Sequence, residues 1–233
     1  VDSGHSVTYT VPVYEGYALP HGIERINIGG NDVTDYMAKL LSSSNEVILD
    51  NNEFVDDSSK FIVNSIKHDI AYIPSNIEEE ENVYLQGRGE INEYKLPDGK
   101  VIQVRSEKFA CTELLYNPIL IGKHFTGIHQ LVSDSIYKCD INVRETFFQN
   151  IVLVGGNTLI NGFVQRLENE LRAINGHETE IKIAANADRA YSAWIGGQIL
   201  SGISTFKDMW ITKEEYHDEG SRIILRKLHN NSN

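Results

Sequence analysis

The run Ile151-Val152-Leu153-Val154, followed by Gly155-Gly156-Asn157-Thr158, constrains this chain more than any other stretch. β-Branched residues favour a strand, and paired glycines allow a tight turn. Phe163, Val164, Leu167 and Leu171 then recur at helical spacing. Strand, tight turn and helix in that order bring backbone N–H groups close to an anion, so the stretch reads as a phosphate cradle. A plain strand-to-helix turn carries the same signature, and the choice depends on the rest of the chain.

At 233 residues the chain has room for one large or two modest domains. Apolar and charged contents of 41% and 23% are those of an ordinary soluble protein, and no apolar run reaches membrane-spanning length. The first residues lack the pattern of a signal peptide. A formal charge of −12 without any Lys/Arg cluster argues against direct nucleic-acid binding, which needs a basic face to neutralise phosphates. Cys111 and Cys139 lack metal-ligand spacing and fit reduced, buried thiols of a cytoplasmic or nuclear protein. The chain opens on Val1 rather than methionine, in what reads as the end of a strand, so upstream sequence is expected.

Turn chemistry at Asp2-Ser3-Gly4-His5-Ser6 precedes an expected strand over Val7–Tyr14, and alternation predicts another over Ile23–Ile28. Val33, Tyr36, Met37, Leu40 and Leu41 share one helical face after Gly29-Gly30, a second glycine pair at a strand-to-helix junction. A polar loop is expected from Asn45 to Asp57. Asp57 or Ser58 would then cap a helix presenting Phe61, Ile62, Ile66 and Ile70, which Pro74 stops. Glu78–Glu81 reads as a solvated run and Glu81–Gly87 as a loop, and Tyr94–Val104 as a hairpin turning on Pro97-Asp98-Gly99. A short helix from Ser106 to Leu115 leads to a hydrophobic loop over Tyr116–Phe125. Ile128, Leu131, Val132, Ser135 and Ile136 form a further helical stripe, and a short helix follows over Asp140–Gln149. Ile181–Ala184 reads as a strand, Trp194–Thr205 and Thr212–Glu219 as helices, and the polar tail after Leu228 as frayed. The order predicts an α/β fold with a mixed sheet and an inserted subdomain.

Asp2-Ser3-Gly4 and Gly155-Gly156-Asn157-Thr158 form two candidate anion loops. Facing each other they would hold a polyphosphate, with Asp2 holding a divalent metal through water. Several further blocks resemble actin in sequence and in order. They include Thr10-Val11-Pro12-Val13-Tyr14-Glu15-Gly16-Tyr17-Ala18-Leu19-Pro20-His21, Asp32-Val33-Thr34-Asp35-Tyr36, Leu96-Pro97-Asp98-Gly99, Gly127-Ile128-His129 and Lys138-Cys139-Asp140. Tyr191-Ser192-Ala193-Trp194-Ile195-Gly196-Gly197 and Ser204-Thr205-Phe206-Lys207-Asp208-Met209-Trp210 extend the resemblance nearly to the end, over what corresponds to the second half of an actin.

The resemblance implies an actin-like ATPase fold, with a ribonuclease-H-like core in each lobe and ATP or ADP with Mg²⁺ or Ca²⁺ between the lobes, a site completed only by the N-terminal half. Residues 1–28 and 117–191 would form the core subdomain of the second lobe, 29–116 the subdomain inserted on it, and 192–233 the C-terminal part of the first lobe. Asp2, Ser3, Gly4, Gly30, Lys67, Gly155, Gly156, Asn157 and Thr158 fall at nucleotide-binding positions, and Tyr17, Leu200 and Ile203 at a partner cleft. The implied partners are other actin-fold subunits or actin-binding proteins, with no direct nucleic acid and no membrane.

Departures from the family pattern matter as much. His5-Ser6 replaces an Asp-Gly pair, and Tyr9 stands where a histidine helps to orient the attacking water. A phenol with a pKa of about 10 is a poor proton acceptor at neutral pH. His68 replaces a glutamate, Ile160 a tyrosine beside the base, and Ala190 a lysine. These changes predict a divergent actin-related protein, nucleotide-binding and structural, with weak or absent ATP hydrolysis. The alternative is a polymerising actin with ATPase activity.

Overall fold

The computed structural model describes residues 1–44 and 57–230. Along the chain, β1 (Asp2–Ser3), β2 (Thr8–Thr10), a hairpin of β3 (Val13–Tyr14) and β4 (Tyr17–Ala18), and β5 (Glu24–Ile26) lead into α1 (Gly30–Ser44). Two helices follow, α2 (Asp57–Ile70) and α3 (Ile77–Leu85), then a hairpin of β6 (Asn92–Lys95) and β7 (Val101–Val104), and the short α4 (Glu107–Ala110). After 3-10 turns at Thr112–Leu115 and Pro118–Ile121 come α5 (Ile128–Tyr137), α6 (Ile141–Phe148), β8 (Ile151–Val152), α7 (Phe163–Asn175) and β9 (Ile183–Ala184). The chain ends in α8 (Ser192–Gly202), α9 (Lys213–Glu219) and α10 (Arg222–Asn230).

The arrangement of strands positions everything else. β2 lies between β1 and β5, antiparallel to both, with Asp2 opposite Tyr9. On the far side of β1, Asp2 forms a parallel bridge with Val154. Ser3 N–H donates to Val154 O at 3.0 Å and Val154 N–H to Val1 O at 2.8 Å. β8 in turn runs parallel to β9. The order is therefore β5-β2-β1-β8-β9, and because β1 and the 151–154 segment are parallel, the loops that follow them leave the sheet at the same end.

Helices close over this sheet by the apolar faces that the sequence encodes. Val33, Met37, Ala38 and Leu41 of α1 are buried, as are all five expected residues of α5, and Phe163, Leu167 and Leu171 of α7. Arg166, at 5% side-chain exposure, ties α7 to its surroundings: it pairs with Glu170 at 2.6 Å and Glu113 at 3.1 Å, and its guanidinium lies 4.8 Å from the centre of the Tyr116 ring. Gly162 enters this helix at φ +85°, and a Cβ there would sit 1.9 Å from Ile73 O. The segment from Ser192 to Arg222 is different, since none of its residues is buried.

Several expectations need correction. The strand expected over Val7–Tyr14 is two strands, because Pro12 has no N–H to continue the ladder and its carbonyl instead accepts from Leu19. Phe61 is 72% exposed rather than core-facing: Val63 and Ile66 fix the buried face of α2, and Phe61 is rotated away from it. The Glu81–Gly87 loop is helical as far as Leu85, because Asn76 accepts from the N–H groups of Glu78 and Glu79 and the acidic first turn suits the helix dipole. No residue of α3 is buried, so its glutamates are solvated as expected. An additional helix, α10, occupies the approach to the C-terminus and continues past Leu228 to Asn230, where a frayed tail was expected. The loop expected from Asn45 and the cap expected from the Asp57 or Ser58 side chain lie outside the described residues, as do residues 231–233.

Gly162→Ala is expected to lower the unfolding free energy by roughly 2–4 kcal/mol, through the positive φ and the contact with Ile73, and urea denaturation checks it. His129, stacked on Tyr116 at 5.8 Å, has a pKa lowered from 6.5 chiefly by burial. The unfolded chain then binds a proton that the folded chain refuses, so stability is complete above pH 6.5 and declines as the pH falls below it. Replacing His129 with Gln should flatten that part of the stability profile.

Candidate functional site

At the end of the sheet where the two loops emerge, their backbones meet. Gly155 has φ +92°, and a Cβ at this position would lie 2.4 Å from Ser3 O and 2.5 Å from Asp2 Oδ1, so only glycine allows the approach. Asn157 then joins the loops: its Nδ2 donates to Gly4 O at 2.8 Å and to Ser3 Oγ at 3.1 Å. Ser3 Oγ also bonds Thr8 Oγ1 at 2.9 Å, which donates to Ile28 O. The first loop's carbonyls receive α1, with Gly30 N–H donating to Gly4 O at 2.9 Å and Asn31 N–H to His5 O at 2.7 Å. The helix N-terminus is thus spent on the loop. The N–H groups of His5, Ser6, Gly156 and Asn157 have no backbone acceptor among the described residues. These are the groups left to meet an anion.

Gly4, Gly30, Lys67, Gly156 and Asn157 line one cavity of about 670 Å³, together with His5, Asn31, Thr34, Lys60, Phe61, Asn64 and His68. Among the described residues no carboxylate lines it. A second cavity of about 640 Å³ shares Lys67, His68, Gly156 and Asn157 and continues past Ile160 to Ala190 and Tyr191. The two form a crevice between the sheet loops and α2. Lys67 Nζ is already held, donating to Gly30 O at 2.9 Å and Thr34 Oγ1 at 2.8 Å, and burial lowers its pKa. Its amine fastens α2 to the first turn of α1. His68 is likewise shifted down, by burial and then by the Lys67 charge.

The remaining expected residues divide by role. Ser3 and Thr158 are fully buried, and the Thr158 hydroxyl donates to Gly155 O at 2.7 Å, so both brace the loops from behind. Asp2 and Tyr9 line a smaller adjacent cavity of about 260 Å³ with Val154, Ser192 and Ala193. Their register across β1 and β2 puts them on one face, and Tyr9 OH donates to Asp2 Oδ2 at 2.9 Å. That hydrogen bond, more than burial, raises the Tyr9 pKa above its ordinary 10.0. Asp2 is the one carboxylate among the described residues that line this cavity, and no group of three metal-binding side chains occurs among the described residues.

Tyr17, Leu200 and Ile203 are all exposed. Leu200 and Ile203 adjoin at the end of α8, where Ile203 N–H donates to Leu200 O at 3.1 Å, and Tyr17 lies in the β3–β4 hairpin. Sequence reading missed Arg189, whose guanidinium donates to Thr158 O at 2.8 Å while its own carbonyl accepts from Gly155 N–H at 3.1 Å. Nothing local in the sequence marks that role. Asn64 was discoverable, lying one helical turn before Lys67 on the same face of α2.

Paired loops at the carboxyl ends of adjacent parallel strands open on a crevice, the arrangement of an α/β protein. A family model described as Actin matches residues 1–229, and the chain belongs to the actin family, with its actin-like ATPase fold. The resemblance read from the motifs is thereby borne out.

Asn157→Ala removes both ties between the loops. It is expected to cost about 1–3 kcal/mol of stability and to speed amide exchange across residues 3–5, measured by hydrogen–deuterium exchange.

Proposed function

We propose that this chain is the nucleotide-holding second lobe, together with the C-terminal part of the first lobe, of a divergent actin-related protein, a structural subunit of a cytoskeletal or chromatin-remodelling-type nuclear assembly. It resides in the cytoplasm or the nucleus. Its nucleotide is ATP or ADP with Mg²⁺ or Ca²⁺, and hydrolysis is weak or absent. The observation that carries this reading is the meeting of the two loops through Asn157, which turns two weak sequence signals, 150 residues apart, into one cradle with unused N–H donors.

The lobe boundaries follow the same reading. Residues 1–28 and 117–191 hold the sheet and form the ribonuclease-H-like core subdomain, which the order β5-β2-β1-β8-β9 supports. Residues 29–116 form the inserted subdomain. Residues 192–233 belong to the first lobe, and the exposure of Trp194, Ile199 and Trp210 supports a surface that the rest of such a lobe covers. Tyr17, Leu200 and Ile203 then serve other actin-fold subunits or actin-binding proteins.

Weak hydrolysis rests on Tyr9. At the position from which the family orients water, a phenol with a raised pKa spends its proton on Asp2 and accepts none. One observation favours a polymerising ATPase instead: Ile119, Leu120 and Phe125 are exposed in the loop that actins use across the filament. Lys123 of that loop is tied back, however, donating to Asp32 Oδ1 at 2.7 Å and Asn27 O at 2.9 Å.

Phosphate release and sedimentation of the full-length protein in polymerising salt decide between them. Bound nucleotide with little phosphate release and no pelleted filament is expected, and turnover comparable to actin overturns the reading. Tyr9→His should raise phosphate release.

A further inference from the structure

Phe61 stands off the packed side of its own helix. Val63 and Ile66 set the buried face of α2, and Phe61 is 72% exposed. An exposed aromatic on a helix is ordinary in itself. This one lines the crevice, sharing the cavity of about 670 Å³ with Gly4 and His5 of the first loop and Gly156 and Asn157 of the second. Among the described residues that line the cavity, it is the only apolar side chain.

Phe61, Asn64 and His68 follow one another at i, i+3 and i+7, so they form a single stripe of α2 along the cavity. Asn64 Oδ1 accepts from the Thr34 hydroxyl at 3.3 Å, and its Nδ2 has no partner among the described residues. Burial, and then the Lys67 charge, lowers the His68 pKa, so that imidazole is uncharged at neutral pH. The stripe sets an aromatic face beside polar groups, at the opposite side of the cavity from the loops. The adjoining cavity offers less. Ile160 stands there in place of an aromatic, and Tyr72 is committed through its hydroxyl to Glu80 at 2.5 Å and through its ring to Phe109 at 5.9 Å. Tyr191 is the aromatic that remains to it. An exposed π-face in a cavity of small-molecule size suits a planar ring, and stacking of this kind accepts any base.

We propose that the base of the nucleotide stacks on Phe61, lying in the cavity bounded by α1 and α2 rather than in the adjoining one beside Ile160. This rests on the reading that the crevice holds a nucleotide, and adds which wall receives the base.

Isothermal titration of the full-length protein with ATP and with inorganic tripolyphosphate, both in Mg²⁺, tests this. Phe61→Leu keeps an apolar side chain and removes the ring, and should raise the ATP dissociation constant roughly tenfold while leaving that of tripolyphosphate unchanged. Phe61→Trp should hold ATP within about threefold of native protein, and its added indole emission should be quenched by ATP and not by tripolyphosphate. Tyr191→Leu should leave ATP affinity unchanged. ATP bound equally well by native protein and Phe61→Leu overturns the proposal and spares the nucleotide reading. So does a loss confined to Tyr191→Leu, which puts the base in the adjoining cavity. An equal loss of ATP and tripolyphosphate in Phe61→Leu also overturns it, since the ring then shapes the crevice instead of holding the base. Where tripolyphosphate binds too weakly to titrate, indole emission of Phe61→Trp that is unmoved by saturating ATP overturns the proposal. Absence of ATP binding by native protein overturns both readings.

Discussion

Two main-chain hydrogen bonds, from Ser3 to Val154 and from Val154 to Val1, seat the first strand of this chain beside a strand 150 residues later. The direction of that pairing is the constraint on which the crevice depends. Parallel strands send their following loops out of the same end of a sheet, whereas an antiparallel pairing would have placed the two glycine-bearing loops at opposite ends. Given the parallel bridge, Gly155 can press against Ser3, Asn157 can reach Gly4, and α1 can start from the carbonyls of the first loop.

Much of this was legible beforehand, for identifiable reasons. Helical faces read well where apolar residues recur and packing is one-sided, as in α1, α5 and α7. Phe61 misled because an aromatic one position from an apolar stripe cannot be told from a member of it until a neighbour fixes the rotation of the helix. The acidic helix α3 was hidden because its stability comes from the Asn76 cap and a favourable dipole, with no buried face to betray it. Within the crevice, backbone-defined positions such as Gly4, Gly30 and Gly156 were found by motif. The braces were not: Arg189 works through carbonyl contacts that leave no spacing signal.

The expected site residues also proved unequal in kind. Asn157 links, Ser3 and Thr158 brace from behind, and Lys67 spends its amine on Gly30 and Thr34. Gly4, Gly30 and Gly156 present backbone to the crevice, beside the side chains of His5, Asn31, Lys60, Asn64 and His68.

The span of the β1–Val154 pairing has a consequence for how the molecule comes to exist. The hairpin β6–β7 and the antiparallel strands β1, β2 and β5 close over short stretches of chain, and can form early. The crevice cannot, because its second wall is made after some 150 intervening residues, and the loop entropy of that closure is met only once α5 to α7 are in place. Of the pairings in this sheet, the one that builds the crevice therefore carries the largest loop-closure entropy.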